Sequence, residues 1–480
     1  MSPPYGELLT ALRPELCLVA GALAVLAVDL PKSSRRPEQR LEISAVIGIL
    51  ALVSAYGWGL AAGQPGPLFG GVLTLDMLAQ ATRAGVLGLA LLTLGITAGT
   101  SRLRHPAELV AMILFATTGF TLMAVAQQLL LAFLALELAS LSLYVLAGFD
   151  KSRPESAEAA LKYFLFGGVS AAFLLFGFSL IYGLTGSIEL PVISRQLAMS
   201  GPSPLLVVAL VMVLVAFGFK AAAAPFHLWA PDVYEGAPAP AAALIASASK
   251  LAGLTLFVRL LWLGFGAGSG TLTGAAGWLP AVAMISAASM LLGNFAALAQ
   301  GNVRRLLAYS AIAHAGALLL GVIAAGHAGL APPFYYAATY GLATVGAFGV
   351  IAVVGRAGRC QNLADLAGLR TRSPLLTGCL LVFVLSLAGI PPLAGFVAKF
   401  VVFSAALQFG GVAGWLALLA ILLSAVALYY YLLILKQAMV APAQNPAPIK
   451  VPGPAAIALL TAAGLIVLLG LWPSLLLGLF

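Results

Sequence analysis

The chain has 480 residues, of which 62% are hydrophobic and 8% charged, with a net charge of +9 and a mean hydropathy of +1.07. So little polar side chain cannot cover a water-soluble globule of this length, which excludes a soluble enzyme or binding domain and implies an integral membrane protein. No separate basic domain exists to turn the charge into a nucleic-acid surface, so no nucleic-acid partner is expected and the lipid bilayer is the first partner.

Apolar runs of about 20 residues, the length of a membrane-crossing helix, recur between short polar breaks. The alternating strands of about 10 residues that build an outer-membrane barrel do not. In chain order the runs cover 14–31, 41–62, 72–99, 107–125, 127–149, 157–185, 203–230, 237–264, 276–298, 304–325, 332–354, 374–409, 412–439 and 454–479. The expectation is an all-α membrane protein of about 14 transmembrane helices. The first run lacks a basic leader and a small-residue cleavage site, so it reads as a retained helix rather than a signal peptide.

Loops after the odd-numbered runs hold sixteen of the 24 Lys and Arg residues, among them Lys32, Arg36, Arg102, Arg304, Arg305 and Lys436, and the opposite side holds only Arg13 and Arg195. Cytoplasmic loops are enriched in these residues, which places both termini outside. Six further cations, Arg83, Lys162, Lys220, Lys250, Arg259 and Lys399, fall inside apolar runs. An ammonium at membrane depth costs about 2.5–3.5 kcal/mol on insertion scales, so such residues face a bundle interior or a water path and carry function. Cys17, Cys360 and Cys379 form no CxxC pair, the four histidines lack metal-ligand spacing, and no Gly-rich phosphate loop follows a strand. No metal site, cofactor or redox centre is expected in this chain.

Two runs are interrupted beside a lysine: the seventh at Lys220-Ala-Ala-Ala-Ala-Pro225, and the twelfth at Gly389-Ile-Pro391-Pro392, ahead of Lys399. A lone intramembrane proline is ordinarily a kink. Two breaks with a lysine each, however, expose backbone that must be buried in protein or touch water. Glu137 precedes Lys220 by 83 residues and His314 precedes Lys399 by 85, which suggests a five-helix unit repeated in inverted orientation. The organisation read from this is helices 1–3 over 1–106, a first repeat over 107–264, a second over 276–440, and a last helix over 451–480. A lysine deprived of water can gain and lose a proton, and a carboxylate beside it favours the charged form. Glu137 facing Lys220 would therefore act as a switch, with Lys250 as the link between halves and His314 as a relay that uses both ring nitrogens. Lys162, close to the charged turn 150–155, either joins this path or snorkels to the surface. Arg259 is expected to snorkel on the other side, and Arg304 and Arg305 to anchor the tenth helix.

The residues resemble a known family. Leu136-Glu137-Leu-Ala-Ser-Leu-Ser-Leu-Tyr144, Ala-Ala-Leu-Lys162-Tyr-Phe-Leu, Pro225-Phe-His-Leu-Trp-Ala-Pro-Asp-Val-Tyr-Glu-Gly236, Ser-Lys250-Leu-Ala-Gly, Ile312-Ala-His314 and Gly389-Ile-Pro-Pro-Leu-Ala-Gly-Phe396 with Lys399 are similar to the antiporter-like subunits of respiratory complex I, and within them to the subunit N branch. The resemblance implies a bacterial inner-membrane subunit that couples quinone reduction elsewhere to proton pumping through Glu137, Lys220, Lys250, His314 and Lys399. It implies partners among the other membrane subunits, an antiporter-like neighbour and small helical ones. NADH, FMN, iron–sulfur clusters and quinone would belong to partner subunits. The alternative is a subunit of a multisubunit cation/proton antiporter, which is similar to the same family.

Overall fold

The structure is a computed structural model and describes residues 5–30, 37–60, 66–100, 105–201, 203–274, 277–358, 360–443 and 447–480. The loop cations Lys32, Arg35, Arg36, Arg102, Arg104 and Arg359 lie outside the described residues.

The chain is nearly all helical. In order the helices are α1 (Tyr5–Ala11), α2 (Arg13–Asp29), α3 (Pro37–Leu60), α4 (Met77–Thr100), α5 (Pro106–Val125), α6 (Leu129–Ala147), α7 (Pro154–Thr185), α8 (Leu190–Ser200), α9 (Pro204–Ala221), α10 (Trp229–Gly236) and α11 (Ala239–Ala246). They continue with α12 (Ala248–Val258), α13 (Trp278–Leu298), α14 (Val303–Ala328), α15 (Ala331–Ala357), α16 (Leu369–Arg372), α17 (Pro374–Ala388), α18 (Ala394–Phe409), α19 (Gly411–Met439), α20 (Gly453–Leu471) and α21 (Ser474–Leu477). Among the described residues, twelve helical spans are long and apolar enough to cross a membrane, thirteen if α1 and α2, bent by 68° to one another, count as one. The apolar α17 and α18 are each too short for that test.

Four features depart from the expected elements. An antiparallel hairpin, β1 (Gly66–Leu68) with β2 (Leu73–Leu75), occupies the start of the third apolar run, so the helix there begins only at Met77. Helix α8 is an additional short helix whose apolar side, through Ile193 and Leu197, faces the core. The seventh span continues past its break as α10, to Gly236. The eighth is also divided, at Ser247, whose φ of −115° and ψ of −85° leave the helical region.

Both breaks seen in sequence are helix ends of one kind. At the end of α9, Ala222 is left-handed (φ +58°), its N–H donates to the Phe219 carbonyl (2.9 Å) and the Ala223 N–H to the Gly218 carbonyl (2.8 Å). At the end of α17, Gly389 is left-handed (φ +86°), its N–H donates to Ser386 O (3.0 Å) and the Ile390 N–H to Leu385 O (3.0 Å). Each is a Schellman motif, which satisfies two of the carbonyls that a helix end leaves free. The remaining backbone is met by side chains: Ser289 Oγ accepts from the Ala224 N–H (2.8 Å), and Ser386 Oγ from the Gly395 N–H (3.1 Å).

The most buried spans, α11–α12, α14 and α15, form the centre. Close approach of α13 and α14 fixes the middle of α14, because a Cβ on Gly316 would lie 2.6 Å from Ser286 O; Ser286 Oγ instead donates to Gly316 O at 2.7 Å. Small residues let helix backbones meet where lipid offers no hydrophobic drive between them.

Two buried cations clip α2 to α4 and the start of α4 to this centre. Arg83 of α4, 2% exposed, pairs with Glu15 of α2 at 2.9 Å. Arg259, expected at the surface, is instead 1% exposed and makes a two-pronged pair with Asp76 (2.8 Å each) plus a bond to Ala124 O (3.2 Å). Its carboxylate partner at the start of α4 provides at depth what snorkelling would have sought at the surface. Removing one partner of a buried pair leaves an uncompensated charge, which costs about 3–5 kcal/mol. Glu15→Ala is expected to lower the thermal unfolding midpoint of the purified protein strongly, and a midpoint equal to that of the parent protein would show that the clip contributes nothing.

Candidate functional site

Three lysines stand inside the bundle, and each ammonium is held by a neutral oxygen. Lys220, in the last turn of α9 and 4% exposed, donates to Ser140 Oγ of α6 at 3.4 Å and lies 6.0 Å from the Phe120 ring centre. Lys250, in the first turn of α12 just past the Ser247 break, donates to the Ala311 carbonyl of α14 at 2.7 Å. Lys399, half-buried on α18, donates to Ala388 O at 2.8 Å. Ala388 ends α17, so Lys399 occupies one of the carbonyls that the Schellman motif leaves free. A cation is favoured at a helix C-terminus, and Lys220 and Lys399 both sit at the C-terminal end of a first arm. They reach it differently: Lys220 belongs to the arm before its break, Lys399 to the arm after.

Glu137 and Lys220 line one cavity of about 10 Å³ with Tyr144 and Ser170, at the lower limit for a single water. The Lys220 ammonium bonds Ser140 and not Glu137, whose Oε1 is buried without a hydrogen-bond partner. The facing arrangement expected from sequence is therefore present across a gap, not as a contact. Lys220 and Lys250 line a second cavity, of about 20 Å³, with Gly253 between them; a Cβ on Gly253 would lie 3.0 Å from Lys220 Cγ.

Beyond Lys250 the second half begins. Ala311, whose carbonyl accepts the hydrogen bond, is one turn before His314 on α14, and the Tyr340 ring lies 5.3 Å from the Lys250 ammonium and 4.9 Å from the His314 ring. His314 is hydrogen-bonded on both nitrogens, Nδ1 to Tyr336 Oη (2.8 Å) and Nε2 to Tyr431 Oη (3.0 Å). His314, Tyr336 and Lys399 then line a third cavity, of about 30 Å³, with Asn294, Ser424 and Tyr430. The five residues thus stand in the order Glu137, Lys220, Lys250, His314, Lys399, with a shared cavity at three of the four steps and, at the fourth, the bond from Lys250 to Ala311 O, one turn from His314. Such an array can pass protons by way of side chains and intervening water.

Lys162 is apart from it. Its ammonium, on a side chain 37% exposed, pairs with Asp232 (2.5 Å) and Glu158 (2.6 Å). Asp232 of α10 also pairs with Arg305 (2.7 Å), which reaches Glu235 (2.9 Å); Asn302 bonds Glu235 (2.8 Å), and Arg304 bonds the carbonyls of Glu235 and Ala237. This network joins α7, α10 and the start of α14, in keeping with the anchoring expected of Arg304 and Arg305.

Sequence reasoning missed the hydroxyls around His314. Tyr336, Tyr430, Tyr431 and Ser310 lie in apolar helices where aromatic residues read as packing, and only the fold brings them to one point. Among the described residues, no group of three or more His, Cys, Asp or Glu is placed to hold a metal ion.

Residues 126–424 match the NADH:quinone oxidoreductase/Mrp antiporter transmembrane family. A protein of Acidobacterium capsulatum named NADH-quinone oxidoreductase subunit N 2 is 48% identical, with 98% of either chain covered. A subunit N from Heliobacterium modesticaldum is 37% identical over 98% of this chain and 95% of its own. Among solved structures, respiratory complex I from Thermus thermophilus contains a chain 36% identical, with a TM-score of 0.82 over 97% of this chain and 98% of that one. A chain of the Mrp complex from Dietzia, 23% identical with a TM-score of 0.80 over 98% and 96%, shares the fold. The chain belongs to the NADH:quinone oxidoreductase/Mrp antiporter family of membrane subunits.

Proposed function

We propose that this chain is a proton-translocating membrane subunit of an NADH-quinone oxidoreductase, of the subunit N type, in which quinone reduction in partner subunits drives protons through Glu137, Lys220, Lys250, His314 and Lys399. The observation that carries the reading is the continuity of the array: the cavities shared by Glu137 with Lys220, Lys220 with Lys250 and His314 with Lys399. The reading takes α17 and α18 together as one broken span, which brings the bundle to fourteen. It keeps helices 1–3, the repeats 107–264 and 276–440 and the last helix as units, in a bacterial inner membrane with both termini outside. NADH, FMN, iron–sulfur clusters and quinone act in the partner subunits, which include an antiporter-like neighbour and small helical subunits. Quinone-linked pumping is preferred to cation/proton exchange because the relatives covering 98% of the chain carry the oxidoreductase name, whereas the likeness to the Mrp chain is one of fold.

In mechanism, each lysine can hold or release a proton without breaking its polar contact, since a neutral amine still donates to Ser140 Oγ, Ala311 O or Ala388 O. Glu137, facing Lys220 across a cavity, favours the charged ammonium when ionised and releases that hold when protonated or displaced. A proton given up by Lys220 has Lys250 as its neighbour across the second cavity, and His314 then passes it toward Lys399.

Glu137→Gln and Lys220→Ala are each expected to leave the complex assembled with its flavin and iron–sulfur subunits and to slow proton pumping into membrane vesicles by roughly tenfold or more. Unchanged pumping in both would remove them from the path. Gly389→Ala places a side chain at φ +86°, a strain of about 1–2 kcal/mol, with its Cβ 2.8 Å from Lys399 Cδ. It is expected to displace Lys399 and lower pumping in an assembled complex; a full pumping rate would show that the bond to Ala388 O has no part in transfer.

A further inference from the structure

The cavity of about 20 Å³ between Lys220 and Lys250 is apolar apart from the two lysines, and two of its walls are aromatic. Phe217 of α9 and Phe257 of α12, 3% and 4% exposed, stack there with ring centres 4.8 Å apart and planes 27° from parallel. One turn away from Phe257, Gly253 lets the two helices come this close, facing Lys220 Cγ without a side chain of its own.

The stack lies on one particular side of the lysines. Helix α9 runs from the end of α8 toward its break, so Phe217 is about 4.5 Å nearer than Lys220 to the α8 end of the bundle. Helix α12 runs back the other way, which puts Phe257 about 10 Å nearer than Lys250 to that end. The π-helical turn Arg259–Gly264 that follows packs on α8 itself.

Beyond the rings the way to that end is apolar. Residues 204–219 include no polar side chain. Leu206, Leu210 and Leu214 are buried, and a Cβ on Gly268 would lie 3.2 Å from Leu210 Cδ1, so the loop after the π-helical turn seats directly on them. The polar groups of α12 in this stretch are engaged by another helix: Thr255 Oγ1 is bonded to Thr82 Oγ1 of α4 (2.9 Å), and Arg259 pairs with Asp76. The polar neighbours of the two lysines, Ser140 Oγ and the Ala311 carbonyl, belong to α6 and α14.

We propose that the Phe217–Phe257 stack is a hydrophobic barrier that seals the Lys220–Lys250 cavity against the α8 end of the bundle, so that a proton leaving Lys220 moves sideways to Lys250 and His314. The proposal rests on these lysines belonging to the translocation path. The rings take no proton themselves. They act by excluding water, because an apolar constriction breaks a file of water and leaves a proton without a carrier. The lysines stand between two compartments of different proton potential, and an opening toward the α8 end would let protons slip across without work.

The test uses the assembled complex in proteoliposomes, with a pH-sensitive dye inside and a potassium diffusion potential as the driving force, in the absence of NADH and quinone. Phe257→Ala and Phe217→Ala, made singly, are each expected to raise passive proton leak by roughly tenfold, and to lower the number of protons pumped per quinone reduced once substrate is added. Phe257→Leu refills the space with an apolar side chain and is expected to leak no more than the parent. Phe348→Ala removes an equally buried ring elsewhere, one packed on Tyr234, and is expected to stay tight. A parent-like leak in both alanine variants would overturn the barrier. So would an equal leak in Phe348→Ala or Phe257→Leu, which would mark a general loosening of the core. Lys220→Ala measured in parallel separates the two readings. If it slows pumping while neither alanine variant leaks, the barrier alone fails; if it leaves pumping unchanged, the path itself fails.

Discussion

A cation inside an apolar bundle must find an oxygen, and the kind of oxygen it finds divides the six cations that fall within apolar runs into two groups. Arg83, Arg259 and Lys162 pair with carboxylates. Lys220, Lys250 and Lys399 donate to a hydroxyl or a backbone carbonyl. The first arrangement locks a charge in place, because losing either partner strands the other. The second still holds the amine after its extra proton has left, by a weaker but unbroken hydrogen bond. Among these six, the three lysines proposed as transfer groups are thereby set apart from the cations that serve as ion-pair anchors.

The broken helices follow from the same constraint. Ending α9 and α17 within the bundle creates carbonyl-rich helix ends; Lys399 bonds the Ala388 carbonyl at one, and Lys220 lies in the last turn of the other. Schellman motifs close the rest of each end, and Ser289 and Ser386 cover the backbone that emerges. The break at Ser247 has a parallel effect, starting a new helix from which Lys250 crosses to the carbonyl of Ala311. Rigidity comes from the surrounding contacts, above all the close approach of α13 to α14 that sets the place of His314.

Much of this was legible in the sequence because membrane helices obey strong local rules. Apolar runs marked the spans within a few residues, and Pro225 and Pro391 marked two breaks. Charge within apolar sequence singled out Glu137, Lys220, Lys250 and Lys399. The Ser247 break was not legible, since it carries neither proline nor glycine and depends on what surrounds it. Nor was the burial of Arg259: its partner Asp76 is 183 residues away in sequence. The near-equal spacings from Glu137 to Lys220 and from His314 to Lys399 suggested like positions for the two lysines, yet they sit on opposite arms of their breaks. The tyrosines around His314 were hidden because an aromatic residue in an apolar helix has the same appearance whether its hydroxyl is used or not.

Neutral-oxygen contacts and small shared cavities are proposed to join five titratable groups into one proton path. A structure of the assembled complex at a resolution that places waters tests this. Ordered water is expected between Glu137 and Lys220, between Lys220 and Lys250, and between His314 and Lys399, with Lys220, Lys250 and Lys399 still on Ser140 Oγ, Ala311 O and Ala388 O respectively. Dry cavities, or lysines swung onto carboxylates of neighbouring subunits, would contradict it.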